Sequence, residues 1–254
     1  MNDGETKLLT PIYLKTDQAA EPSDDTPVCY VLTGDGLFVR RNHPFFTSCV
    51  LARDWPSELL PQKPHLNLRC PKLPQAAMQR IVGFFSRIAR LYGSEAAVLL
   101  YWDRRRECVC FEVPDQRATV NEGWNGERYP TDVRYETPQV GADLSLFGSV
   151  HSHVDGLAYS SSVDRKDESH LTGLHIVVGR ISREPPDIHC EYVVDGVRFR
   201  VDTRAVIEGY HRRDTDIPNE WINQVKADVK GYEHTTTYYD GHYDRGPARR
   251  RKVH

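Results

Sequence analysis

The sequence predicts an α/β domain, helices packed around one mixed β-sheet, with a small β attachment before it and a tail after it. Three observations lead there. Apolar residues recur at helical spacing between Leu73 and Gly93. The run AAVLLYW that follows, Ala96 to Trp102, has no polar alternation, as expected of a strand buried on both faces. Beyond it the elements read as several strands, a second helix and further strands, an order that suits a sandwich around one sheet.

Residues 1–27 are polar, and DQAAEPSDDTP reads as a linker or mobile arm. From Cys29 two apolar runs flank Gly34-Asp35-Gly36, a hairpin signal. The Pro-rich stretch WPSELLPQKPHLNLRCPKLP then separates residues 28–72, the β attachment, from the main domain at 73–210. In that domain the helix opens at Leu73, with Pro74 in its first turn where a missing N–H costs nothing, and stops at Gly93. Met78, Ile81, Val82, Phe85, Ile88, Ala89 and Leu91 or Tyr92 form its expected buried face. After AAVLLYW, the turn Asp103-Arg104-Arg105-Arg106 leads to a second strand, ECVCFEV.

Pro114 to Gln139 is rich in Gly, Pro, Asn and charge, and reads as a long surface loop with at most one short strand. A third apolar run, LSLFGSV, enters His151, and a Gly- and Ser-rich turn leads to a short helix from about Ser162 to Thr172. The strand LHIVVGRI and the pair IHCEYVV and VRFRV, joined at Asp195-Gly196, complete the domain. Residues 211–254 read as a tail with one amphipathic stretch, in which Ile217, Trp221 and Val225 stand four apart. That stretch suits packing on its own domain or on a partner. From Tyr232 the chain is too poor in apolar residues to offset ordering entropy.

The 254 residues carry a formal net charge of −3, which gives no reason to expect a nucleic-acid or membrane partner. MNDGETKLLTPIYLK has no basic head with an apolar stretch behind it, so a cytoplasmic protein is expected. Of six cysteines only Cys108 and Cys110 are close in sequence, and no CxxC pair offers a metal site. Reduced, mostly buried thiols are the expectation.

The chemistry concentrates in GSVHSHVDGLAYSSSVD, residues 148–164. His151 and His153, two apart at a strand end, project from one face and can share one ion. Asp164, one turn into the next helix, supplies a carboxylate. Two His and one Asp leave one position of a tetrahedral zinc open, as a catalytic rather than a structural site requires. A lone H-x-H fits surface histidines equally well. The longer pattern is more demanding: H-S-H, seven residues, Ser161, two residues, Asp164.

That pattern resembles the signature of the JAB/MPN metalloprotease family, also called JAMM, and the resemblance spans about residues 73–205. It implies an α-β-α sandwich of the cytidine-deaminase-like type, one Zn2+ per chain held by His151, His153 and Asp164, and a glutamate at the helix-to-strand junction. Glu95 stands at that junction, while Glu107 and Glu112 lie on the second strand. The resemblance makes Glu95 the general acid–base and Ser161 the hydrogen-bond donor to the oxyanion. His170, His175 and His189 lack ligand spacing, Asp155 and Asp167 are possible partners of the ligating histidines, and Ser152 reads as a packing residue.

The chain departs from many eukaryotic members in having Val154 where they have proline, and SREPPD is too short for their second insertion. The loop 114–139 corresponds to the first insertion, the candidate specificity element. The surroundings look similar to bacterial members encoded beside ubiquitin-activating and conjugating enzyme homologues. The implied substrate is a ubiquitin-like protein or its conjugate, cut after the C-terminal glycine. Two alternatives stand beside it, a non-catalytic scaffold of the same fold and a zinc hydrolase that processes a sulfur-carrier-like precursor.

Overall fold

In the computed structural model, which describes residues 10–17, 22–23, 25–57 and 59–231, the chain divides into two units, Met1–His65 and Leu66–His254. The first holds β1 (Ile12–Leu14), β2 (Val28–Thr33), β3 (Gly36–His43) and β4 (Phe46–Leu51), in the order β1-β2-β3-β4. The expected hairpin is β2–β3, closed at Gly34-Asp35, where the Thr33 hydroxyl donates to the Gly36 carbonyl at 3.1 Å. The second apolar run breaks at Pro44-Phe45 into two strands. Within the arm, Ile12–Leu14 is a strand parallel to β2 rather than linker, because IYL is β-branched and aromatic. Residues 1–9, 18–21 and 24 of the arm, and the tail from Tyr232, lie outside the described residues.

The second unit begins with α1 (Gln75–Tyr92), flanked by Pro74 and by Gly93 in the left-handed region at φ 65°. It continues with β5 (Ala97–Asp103), β6 (Cys108–Glu112), β7 (Gln116–Glu122), β8 (Arg128–Tyr135) and β9 (Leu144–Ser152). Then come α2 (Ser162–Asp167), a 3-10 turn (Glu168–His170), β10 (Gly173–Gly179), β11 (Asp187–Val194) and β12 (Val197–Arg200). Two short helices, α3 (Thr203–Val206) and α4 (Asn219–Asn223), precede β13 (Val225–Lys230). Six strands form one sheet in the order β12-β11-β10-β9-β5-β6, with β9 and β10 parallel and the other neighbours antiparallel, so the α/β class with a mixed sheet stands. Among the described residues no helix is long and apolar enough to cross a membrane.

Strand alternation divides this sheet into two faces. Val98, Leu100, Val150, Ile176 and Val178 join Met78, Ile81, Phe85 and Ile88 of α1 in the core. Ala97, His151 and Val177 lie side by side in register and turn the other way. The apolar helix therefore fills one face and leaves the opposite face for chemistry.

Two expectations fail here for identifiable reasons. Residues 114–139 are not a loop with at most one short strand: β7 and β8 form a hairpin, and β13 completes a three-stranded sheet in the order β13-β7-β8. Ala118 and Val120 are buried while Arg117 and Asn121 are exposed, a half-buried strand pattern that the polar composition of the segment conceals. The domain also does not end at 210. Trp221 of α4 packs edge-on against Phe84 and Phe111, at ring separations of 6.1 and 5.3 Å, and β13 pairs with β7. Phe84, outside the expected apolar stripe of α1, is buried, whereas Leu91 is exposed.

Gly83 lets this segment approach α1: a Cβ there would lie 2.1 Å from the Asp214 carbonyl oxygen. Gly83→Ala is accordingly expected to cost roughly 1–3 kcal/mol in urea unfolding. Gly141→Ala, where a Cβ meets nothing within 4 Å, serves as its control and should change little.

Candidate metal centre

The end of β9 presents His151, and Ser152 turns back into the core, where its Oγ accepts the Ala96 N–H at 3.1 Å. His153 is fixed beyond the strand by its own N–H, which donates to the Val178 carbonyl at 2.8 Å. The chain then reverses: the Gly156 N–H donates to the His153 carbonyl and the Ile181 N–H to the Val154 carbonyl, at 2.8 and 2.9 Å. Val154 sits in this turn at φ 49°, a strained conformation for a β-branched residue and one that proline, locked near −65°, cannot adopt. The turn is held by these backbone bonds.

The carboxylate arrives from α2. Ser161 is its N-cap and Asp164 its third residue, and together they make a capping box. The Ser161 Oγ accepts the Asp164 N–H at 3.2 Å, and Asp164 Oδ2 accepts the Ser161 N–H at 2.7 Å. This cap aims the Asp164 side chain at the two histidines.

The donor atoms of the three side chains cluster within 4.8 Å of one another. His151 Nε2 and His153 Nε2 are 3.3 Å apart, and Asp164 turns Oδ1 toward His151 and Oδ2 toward His153, each at 3.5 Å. Tetrahedral zinc with bonds of about 2.0–2.1 Å needs donor separations of roughly 3.3–3.4 Å, which the two nitrogens match. The tautomer also suits: His153 Nδ1 is 3.0 Å from the Leu157 carbonyl, which can only accept, so Nδ1 carries the proton and Nε2 keeps its lone pair. Burial works against a charged His153, but Asp164, Glu95 and the Leu157 carbonyl outweigh it and hold the imidazole above its ordinary range. Burial likewise opposes the Asp164 charge, and the two histidines more than reverse that, keeping the carboxyl well below its usual range.

Glu95 reaches the same cleft from the junction of α1 and β5. The two residues that follow it are fastened, Ala96 by Ser152 and Ala97 by Gln116, which accepts the Ala97 N–H at 2.7 Å. Burial raises the Glu95 carboxyl above its ordinary range, with His153 and His151 partly opposing the shift. Glu107 and Glu112 are exposed and do not line the cleft. The cleft measures about 1070 Å3 and brings together Glu95, His151, His153, Ser161 and Asp164, the five residues singled out in the sequence.

Beside it lies a charged network that sequence reasoning missed. Along the site face of the sheet, Ser149, His175 and Glu191 are register neighbours. Ser149 Oγ lies 3.0 Å from His175 Nδ1, and His175 Nε2 lies 3.0 Å from the Leu171 carbonyl, which can only accept, so Nε2 carries a proton. Glu168, rather than Asp155 or Asp167, approaches the ligands, at 4.0 Å from His151 Nδ1, while Asp155 accepts the Ser182 N–H. Arg198 stands between Glu168 and Glu191, 2.9 Å from each carboxylate. A glutamate inside the apolar strand IHCEYVV was the available signal, since a buried carboxylate needs a partner. Burial disfavours the Glu191 charge, and His189, Ser160 and Arg198 outweigh it, holding the carboxyl below its usual range.

No protein-family model and no curated protein matches the chain.

Two outcomes follow from this geometry. Purified protein stripped of metal should take up one equivalent of Co2+ with the intense visible absorption of a tetrahedral field, and lose it in His153→Ala. A weak, octahedral spectrum would count against the ligand triangle. Separately, burial depresses the His175 pKa. Below about pH 6.5 the unfolded chain binds a proton that folded His175 refuses, so stability falls with pH. Metal-free wild-type protein should therefore lose stability relative to His175→Gln between about pH 7.5 and 5.5, read by urea unfolding.

Proposed function

We propose that the protein is a zinc-dependent peptidase or isopeptidase that hydrolyses the bond after the C-terminal glycine of a ubiquitin-like protein, in a precursor or in a conjugate. The observation that carries this reading is the triangle of His151, His153 and Asp164 opening into a cleft that also contains Glu95. Two imidazoles and one carboxylate are the donors of a hydrolytic zinc site with a free position. On this reading the second unit is an MPN-type α-β-α sandwich, with α1 behind the sheet and α2 beside the cleft.

Zinc in this site supplies Lewis acidity, lowering the pKa of water and polarising the scissile carbonyl. Glu95, its carboxyl raised by burial, accepts the proton of the attacking water and returns it to the leaving amine. The Ser161 oxygen already accepts the Asp164 N–H, so its hydroxyl proton remains available to the developing oxyanion. Ser152 and Gln116 hold the two residues that follow Glu95 and so help to fix where its carboxylate enters.

The surroundings favour an extended polypeptide. β8 is the outer strand of its sheet, and its residues from Arg128 to Tyr135 line the cleft, so a substrate tail can lie along that edge and pair with it. Exposed Tyr129, Leu157, Tyr159, Val163 and Leu171 add apolar surface to a lining that also carries charge, against which a polypeptide can pack. Homologues of ubiquitin-activating and conjugating enzymes would make the bond that such an isopeptidase removes.

Zinc-loaded protein is to be incubated with ubiquitin-like proteins extended beyond their terminal glycine, and the products weighed by mass spectrometry. Glu95→Gln should keep its zinc and cleave on the order of 10²–10⁴ slower. Cleavage at an undiminished rate by this variant, or none by the zinc-loaded wild type across the panel, would remove the proposal.

A further inference from the structure

Helix α2 carries Asp164 and is capped by Ser161, yet none of its residues is buried. With six residues and no apolar face in the core, it cannot be located by hydrophobic packing. Its position has to come from polar contacts. Apart from its own cap and its contacts to the histidines, these converge on Arg198 and Glu191.

Arg198 lies on β12 opposite Val193 of β11, and Glu191 lies two residues before Val193 on the same face. The guanidinium donates through Nη1 to Glu191 Oε2 at 2.9 Å and through Nη2 to the Asp164 backbone carbonyl at 3.3 Å. The same Nη2 is 2.9 Å from Glu168 Oε2, on the turn that follows α2. Glu191 Oε2 also accepts the Ser160 hydroxyl at 2.8 Å. The segment is thus tied at Ser160, immediately before the cap, at the Asp164 carbonyl, and at Glu168 just beyond the helix. All three ties run to adjacent side chains of two paired strands. A planar fork can serve both carboxylates and a carbonyl at once, which a single ammonium cannot.

We infer that Arg198, seated on Glu191, is a positioning residue that sets the place of Asp164 and Ser161 relative to His151 and His153, so that ligand affinity at the metal centre is controlled from β11 and β12. The inference rests on the zinc-site reading for its consequence, though not for the clamp itself. Arg198 does not line the cleft. It acts through the backbone of Asp164 and through Glu168, which stands 4.0 Å from His151 and 3.4 Å from His175.

The test compares wild type with Arg198→Lys, which keeps a cation but loses the fork, and with the milder Ser160→Ala, which removes only the tie to Glu191. Metal-free proteins are examined by amide hydrogen exchange, and zinc affinity is measured by competition with a chromophoric chelator. Arg198→Lys is expected to speed exchange across residues 161–168 while α1 and β9 stay protected. It should weaken zinc on the order of 10–100-fold and shift the Co2+ absorption spectrum. Ser160→Ala should do the same to a smaller extent, and it carries the test if Arg198→Lys fails to fold. Unchanged exchange, zinc affinity and Co2+ spectrum in both variants would overturn the clamp. Faster exchange in a protein whose wild type takes up no zinc would keep the clamp and remove the metal reading.

Discussion

One carboxylate carries two structural duties. Asp164 closes the capping box of α2 by accepting the Ser161 N–H, and it presents the same oxygens to His151 and His153 at 3.5 Å. The cap fixes the rotamer, and the rotamer fixes the third corner of the ligand triangle. Because α2 buries none of its residues, its first turn would otherwise be free to fray. Helix formation and ligand geometry are therefore one event at this residue.

The other two corners depend on strand register. β9 runs between β5 and β10, with His151 level with Ala97 on one side and Val177 on the other. A slip of one residue would send His151 into the core under α1 and expose Val150. Packing forbids it, since Val150 lies fully buried among the side chains of α1 and β5. Ser152 adds a second lock by accepting the Ala96 N–H, which ties the end of the histidine strand to the start of the glutamate strand. The placement of Glu95 relative to the two histidines is thus set by the sheet itself, a more rigid support than the loops around it.

What the sequence made legible follows from how local each cause is. α1 showed through its apolar period and its flanking Pro74 and Gly93, and β5 through its unbroken apolar run. His151, His153, Ser161 and Asp164 stand out in the sequence through their spacing, whereas Glu95 stands out only through the resemblance, which places a glutamate at the helix-to-strand junction. β7 and β8 were hidden because only Ala118 and Val120 mark the inner face of a polar stretch. Phe84 was missed because the segment that covers it comes from Trp221, far along the chain. Arg198, Glu191 and Glu168 meet only through strand pairing and a helix laid across it, and no local pattern encodes that meeting.

The donor set also restricts which cation suits the proposed centre. His153 keeps Nε2 unprotonated by giving its Nδ1 proton to the Leu157 carbonyl, and Asp164 is held ionised by both histidines. Glu95 stands in the same cleft, where its charge and that of Asp164 raise the His153 imidazole against the opposing effect of burial. Imidazole nitrogens and carboxylates thus converge on one cleft, which favours a cation over a neutral guest. Hard Ca2+ or Mg2+ would prefer an all-oxygen shell of six or more ligands, whereas two imidazole nitrogens favour a borderline ion. Octahedral Mg2+, with bonds of about 2.0–2.1 Å, would bring adjacent donors to roughly 2.9 Å. The 3.3 Å between the two imidazole nitrogens lies closer to the tetrahedral spacing. Donor chemistry and nitrogen spacing therefore favour the same ion for independent reasons.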